Sequence, residues 1–167
     1  MIFFRTLFLS LFLSFGHVLS LQAQEYQSFE SFDALKAYAF KNNDTTYIVN
    51  FWATWCGPCV KELPYFESVY RSYASEKVKL ILVSLDFLNK IESHFIPFLN
   101  EHHFSGEVWL LRDRRFNKWI DEVDPSWSGA IPVTLLIKGG LRKFQEGEFS
   151  SEEDLSIFVQ DFISQSK

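Results

Sequence analysis

The tightest constraint on how this chain folds comes from two short runs, Thr46 to Trp52 ("TYIVNFW") and Val78 to Leu85 ("VKLILVSL"). Both are rich in β-branched and aromatic residues, and neither alternates cleanly between polar and apolar. Each therefore predicts a strand buried on both faces. Between them, Val60 to Ala74 has helical character apart from Pro64. Strand, helix, strand at these lengths predicts a right-handed βαβ unit and so a parallel sheet.

The flanking segments extend this order. Ser31 to Lys41 predicts an amphipathic helix with Phe32, Leu35 and Ala39 at helical spacing, preceded by a Ser cap. Asn89 to His103 predicts another, with Ile91, Phe95, Phe98 and Leu99 on one face, and Glu107 to Leu111 a short strand. Phe116, Trp119, Ile120 and Val123 form a brief helical stripe before the loop "DPSWSGAIP". Pro132 to Lys138, Gly139-Gly140 and Leu141 to Gly147 predict a hairpin with a glycine turn. A capping box from Ser150 to Glu153 opens a last helix with Leu155, Phe158, Val159, Phe162 and Ile163 on one face. The fold class is α/β: a central mixed β-sheet, parallel early and antiparallel late, flanked by helices.

The N-terminal stretch belongs to none of these elements. Arg5 is followed by an apolar run without acidic residues that ends in Gln22-Ala23-Gln24. That is the form of a secretory signal peptide, with cleavage expected after Ala23 and residues 24–167 as one domain. An uncleaved membrane anchor over Ile2 to Leu21 is the alternative, although His17, Ser10, Ser14 and Ser20 interrupt the run. Cleavage of 23 of the 167 residues leaves 144, enough chain for one sizeable core. Loss of Arg5 takes the net charge from −5 to −6, a balance that argues against a nucleic-acid partner or a polybasic membrane surface.

Both cysteines of the chain lie in "NFWATWCGPCVKELP", Asn50 to Pro64. Two are too few for a stapled scaffold; if they pair, they pair with each other. Cys56 follows a predicted buried strand and opens a predicted helix, so free backbone N–H groups and the helix dipole favour its thiolate. An ordinary thiol pKa of ~8.5 falls to about 7 in motifs of this type, which makes Cys56 the expected nucleophile. Cys59, one helical turn on, is placed to resolve a mixed disulfide at Cys56. Gly57 admits a close partner, and Pro58 suits a first turn. A purely structural bridge is a competing reading, but so short a loop stabilises by only about 2 kcal/mol. A zinc site needs about four ligands, and His94, His102 and His103 stand at no obvious spacing to the pair.

"FWATWCGPC" from Phe51 and "GAIPVTLLIKGG" from Gly129, about 75 residues beyond the cysteines, resemble the two signatures of the thioredoxin superfamily. The resemblance covers nearly the whole mature chain and implies a thioredoxin fold in which Pro132 follows a cis peptide bond and faces the thiols. Within the superfamily the chain looks like the exported TlpA/ResA-like thiol-disulfide oxidoreductases. It carries an export signal and an inserted helix and strand, roughly Asn89 to Leu111, between the βαβ unit and the Ile-Pro strand. Its motif continues as "CVKELP", similar to that family's C-x-x-E-x-P. Cytoplasmic thioredoxin has a buried aspartate just before its F-W-A; here the matching residue is Asn50, expected to contribute mainly to packing.

From these residues the expected activity is reduction of protein disulfides in the bacterial periplasm. Cys56 attacks and Cys59 resolves. Glu62, one turn past Cys59, relays the proton if buried with a raised pKa; the competing reading is an ordinary exposed helix residue. Substrate contacts are expected from Trp55, Gly57, Pro58, Ile131 and Pro132, with the Ile131 backbone pairing with an extended segment. Packing competes with recognition for Trp55 and Trp127, and Trp52 is expected in the core. Pro64 predicts a kinked helix. No cofactor is expected beyond the redox-active pair. The expected partners are protein disulfides and a membrane electron donor, with the protein a monomer. A dithiol oxidase or isomerase is the alternative within the same chemistry, and a thioredoxin-fold chaperone or metallochaperone the alternative of another class.

Overall fold

Strand β2 (Thr46–Trp52) is buried at every position, as a run without alternation requires. In the computed structural model, which describes residues 24–166, β2 is the strand around which the others assemble. It pairs in parallel with β3 (Val78–Ser84) on one side and antiparallel with β5 (Val133–Lys138) on the other. The inserted strand β4 (Glu107–Leu111) runs parallel beside β3, and β6 (Leu141–Glu146) closes a hairpin with β5. An edge strand β1 (Gln27–Phe29) completes the order β1-β4-β3-β2-β5-β6. The leader read from residues 1–23, its cleavage point and the alternative span Ile2 to Leu21 lie outside the described residues. Among the described residues no helix is long and apolar enough to cross a membrane.

Alternate residues of β2 look in opposite directions, and a separate core forms on each face. Ile48 and Trp52 join Leu80, Leu82 and Leu110 beneath α2 (Gly57–Ser72), α3 (Ile96–Glu101) and α5 (Glu152–Gln165). Val49 and Phe51 join Ile81, Val83 and Trp109 beneath α1 (Phe32–Ala39) and the short α4 (Ile120–Val123). Helices thus cover both faces of a mixed sheet. Ser31 caps α1 by accepting from the Ala34 N–H.

Several boundaries differ from expectation for local reasons. Strand β1 was not signalled: its three residues, two of them exposed, are too few to show a period, and backbone pairing with Trp109 to Leu111 forms it. Helix α2 starts at Gly57, earlier than the apolar pattern suggests, because Pro58 sits in the first turn where its missing N–H costs little. It runs on across Pro64 to Ser72. The stretch from Leu88 is composite: a 3₁₀ turn, a π turn from Ile91 to Phe95, then α3. There the Ile96 N–H reaches back five residues to the Ile91 carbonyl. The final cap is Ser151 rather than Ser150; its extended backbone lets its hydroxyl accept from the Asp154 N–H. Gly139 makes the β5–β6 turn at φ +57, and Arg142, Lys143 and Glu146 place charge along the outer strand.

Ser151→Ala should lower stability by about 1 kcal/mol in urea unfolding, whereas Ser150→Ala should leave it unchanged. The reverse order would put the cap where the sequence pattern alone placed it.

Candidate active site

Strand register brings the site together. Phe51 of β2 lies opposite Val133 of β5, so the chain leaving β2 and the Ile131-Pro132 segment entering β5 meet at one end of the sheet. Beyond Trp52 the backbone turns tightly, with the Cys56 N–H bonded to the Ala53 carbonyl at 3.1 Å, and delivers Cys56 to the N-cap of α2. Cys56 and Cys59 form a disulfide, S–S 2.01 Å. The Cys59 N–H points at Cys56 Sγ at 3.3 Å. That donor and the positive end of the helix dipole favour a thiolate at Cys56 once the bond is reduced.

The two sulfurs have different surroundings. Cys59 is wholly enclosed, while Cys56 keeps 6% of its surface open at the rim. Gly57 and Pro58 beside it are exposed, and a Cβ built on Gly57 would meet nothing within 4 Å, so the approach over this turn is clear. The Ile131 carbonyl lies 3.7 Å from Cys56 Sγ. The Ile131–Pro132 peptide is cis, with Pro132 buried and Ile131 half-buried.

Glu62 is buried, so the exposed-residue reading does not hold. Glu62 Oε1 accepts from Asn50 Nδ2 at 3.0 Å, and Oε2 from the Phe149 N–H at 2.9 Å. Burial pushes its pKa up from 4.5 to about 7, against the opposing effect of these two donors. Asn50 is therefore more than packing: it touches the carboxyl group directly, and β2–β5 pairing sets Thr134 beside it. Phe149 leaves no sequence signal for its part, because a backbone N–H from a loop after β6 makes the contact.

A second buried carboxylate holds the turn that carries the thiols. Asp86, just past β3, accepts from the Thr54 N–H at 3.1 Å, from the Thr54 hydroxyl, and from Ser84 Oγ at 2.8 Å. Arg114 donates to the Leu85 carbonyl at 2.9 Å and to the Asp86 carbonyl. None of Thr54, Ser84, Asp86 and Arg114 was singled out from sequence, since "VSLD" reads as the end of a strand and its partner Thr54 is far away in the chain.

Trp55 is 52% exposed and stacks on Phe87, itself 55% exposed, with ring centroids 5.3 Å apart. Together with Phe116, Ile131 and Arg114 they line a recess of about 230 Å³ next to Cys56. Phe87 is a further residue that its sequence did not mark. Trp52 is core, as expected. Trp127 is also core, packed on Phe51 and Trp119, and its indole N–H braces the Ala130 carbonyl of the Ile131 loop at 2.7 Å. His94, His102 and His103 are exposed. A larger groove of about 490 Å³ between α2 and α3 contains neither cysteine.

Comparison with known proteins agrees with this geometry. A model of the AhpC/TSA family matches residues 20–138. The sporulation thiol-disulfide oxidoreductase A of Bacillus subtilis is 48% identical over 114 residues, 67% of this chain and 66% of that protein. The thiol-disulfide oxidoreductase ResA of Oceanobacillus iheyensis is 39% identical over 66 residues, 36% of this chain and 34% of its own length. The chain thus spans between a third and two thirds of these curated relatives. Among solved structures, a thioredoxin-related protein from Neisseria meningitidis serogroup B superposes with TM-score 0.58 at 26% identity, covering 74% of this chain and 86% of that one.

The titration of Glu62 has a consequence for stability. The folded state binds this proton more tightly than the unfolded chain, so the stabilisation of the protonated form is fully present below about pH 4.5 and lost as pH rises through about 7. The loss is on the order of 3 kcal/mol. Glu62→Gln should flatten the pH dependence of urea unfolding across this window; an unchanged slope would place the titration on another group.

Proposed function

The chain belongs to the AhpC/TSA family, and on that premise we propose that it is a thiol-disulfide oxidoreductase that reduces disulfides of exported proteins. The observation that carries this reading is the asymmetry of the pair: Cys56 at an open rim and at a helix N-cap, Cys59 sealed one turn from a buried carboxyl group. The names of the relatives point to the same chemistry.

In the reduced protein the Cys56 thiolate attacks a substrate disulfide. A bond forms between Cys56 Sγ and one substrate sulfur, and the other substrate sulfur leaves as a thiolate that takes a proton from water. Cys59 then loses its proton to the Glu62 carboxylate and attacks Cys56 Sγ. The mixed disulfide breaks, the second substrate thiolate departs, and Cys56–Cys59 closes. Two electrons pass to the substrate. With a pKa of about 7, Glu62 is close to evenly divided between acid and carboxylate near neutral pH, which suits a group that must take and return a proton. The substrate chain lies over Trp55 and Phe87, meets the open turn at Gly57 and Pro58, and pairs with the Ile131 backbone beside Pro132.

The same reading places the protein in the periplasm after loss of residues 1–23, working as a monomer without a further cofactor. A membrane donor returns the two electrons to Cys56–Cys59. Electron flow in this direction requires a potential nearer the roughly −270 mV of thioredoxin than the roughly −120 mV of strong oxidants.

Cys56→Ser should abolish reduction of a disulfide-bonded test protein, and Cys59→Ser should accumulate mixed disulfides at Cys56. Full activity in the Cys56 variant would end this proposal. A glutathione redox titration that gave a strongly oxidising potential would reverse the direction while keeping the chemistry.

A further inference from the structure

Asn50 lies in the middle of β2 with no exposed surface, where an amide costs free energy unless its groups are paired. Its Nδ2 faces three acceptors, Glu62 Oε1 at 3.0 Å, Thr134 Oγ1 at 3.2 Å and the Val133 carbonyl at 3.5 Å. Its Oδ1 is buried without a hydrogen-bond partner among the described residues. A residue present only to fill space would bring neither the bond to Glu62 nor the orphaned oxygen.

The two protonation states of Glu62 make opposite demands on this amide. A carboxylate only accepts, and the Nδ2 donor at Oε1 suits it. In the acid form Oε2 still faces the Phe149 backbone N–H, a donor fixed by the loop, so the acid proton belongs on Oε1, pointing at Asn50. A donor would then face a donor. Rotation of the amide about its last torsion exchanges Nδ2 for Oδ1 with almost no change in shape, and gives the acid O–H an acceptor. The Thr134 hydroxyl suits either orientation, because it accepts from Nδ2 or donates to Oδ1. Each orientation leaves one end of the amide unpaired, Oδ1 in the first and Nδ2 in the second, and the second also gives up the long 3.5 Å bond to the Val133 carbonyl.

We propose that Asn50 is a positioning residue for Glu62: its amide donates to the carboxylate and, turned over, accepts from the carboxylic acid. Glu62 then keeps a partner on Oε1 through both halves of the proton relay. The inference rests on the proposed role of Glu62 and deepens it. The charged groups that act on Glu62 are Lys61, its neighbour on α2, and Glu148, on the loop after β6; these pair with each other at 3.2 Å. From β2, β5 and the Phe149 loop, Asn50, Thr134 and a backbone N–H meet this site, none of them charged. In the reduced protein the Cys59 thiol, one turn away on α2, is a further titrating group.

The test reads the Glu62 carboxyl carbon by NMR in the oxidised protein labelled with ¹³C-glutamate, over a pH series. In the unmodified protein the Asn50 side-chain amide signals should move with the same midpoint as Glu62. In Asn50→Leu, and in the smaller Asn50→Ala, both forms of Glu62 lose a partner, and because the bond to the charged carboxylate is the stronger of the two the Glu62 midpoint should rise by about one pKa unit. A packing role would lower the melting temperature and leave that midpoint in place, which would overturn the proposal. Amide signals in the unmodified protein that ignore the Glu62 titration would overturn it whether or not the variants fold. The relay is judged separately: if the midpoint moves in the Asn50 variants but Glu62→Gln exchanges disulfides at an unchanged rate and pH profile, the coupling stands and the relay falls.

Discussion

The complete burial of β2 is the constraint on which the rest depends. A strand enclosed on both faces and both edges must find apolar cover from two helical layers and pairing from two neighbours. The parallel β3 and antiparallel β5 supply the pairing, and the two cores supply the cover. Such a strand cannot slip by one residue without turning Asn50 and Trp52 to the opposite core. Its end is therefore a fixed point, and the turn that carries the two cysteines starts from it. The precision of the thiol site is in this sense a property of the sheet.

Two carboxyl groups with no exposed surface flank that turn, and they are satisfied differently. Asp86 gathers a backbone N–H, the hydroxyl of the same residue and a serine hydroxyl, and ties the ends of β2 and β3 together. Glu62 receives one amide N–H and one backbone N–H and stands among apolar residues of the α2 face. For Glu62, desolvation outweighs the donors, which is why its proton is held to about pH 7.

How much of this was legible in the sequence depends on whether a feature is local. The apolar runs gave β2 and β3, the glycine pair gave the β5–β6 turn, and helical spacing gave the core faces of α1 and α5. The Cys-Gly-Pro-Cys segment and the Ile-Pro segment pointed to each other only through resemblance, and the β2–β5 register supplies the physical link. What was not legible is what long-range pairing decides. Strand β1 is too short to carry a period, Asp86 meets Thr54 across 32 positions, and the Phe149 N–H belongs to the backbone. The contact of Asn50 with Glu62 is illegible for the same reason: taken alone, a polar residue in an apolar strand does not reveal what it faces.

The β5–β6 hairpin joins two regions usually considered apart. The chain enters it through the half-buried Ile131 and the buried Pro132, beside Cys56, and leaves it through Gly147 toward Phe149, beneath α2. A hydrogen bond of 2.9 Å from the Gly147 N–H to the Pro132 carbonyl clasps entrance to exit. The residue that a visiting chain would touch and the donor that holds the buried glutamate are thus opposite ends of one closed loop of backbone. The rim beside Cys56 and the donor to the buried glutamate are thus held by a single stretch of backbone.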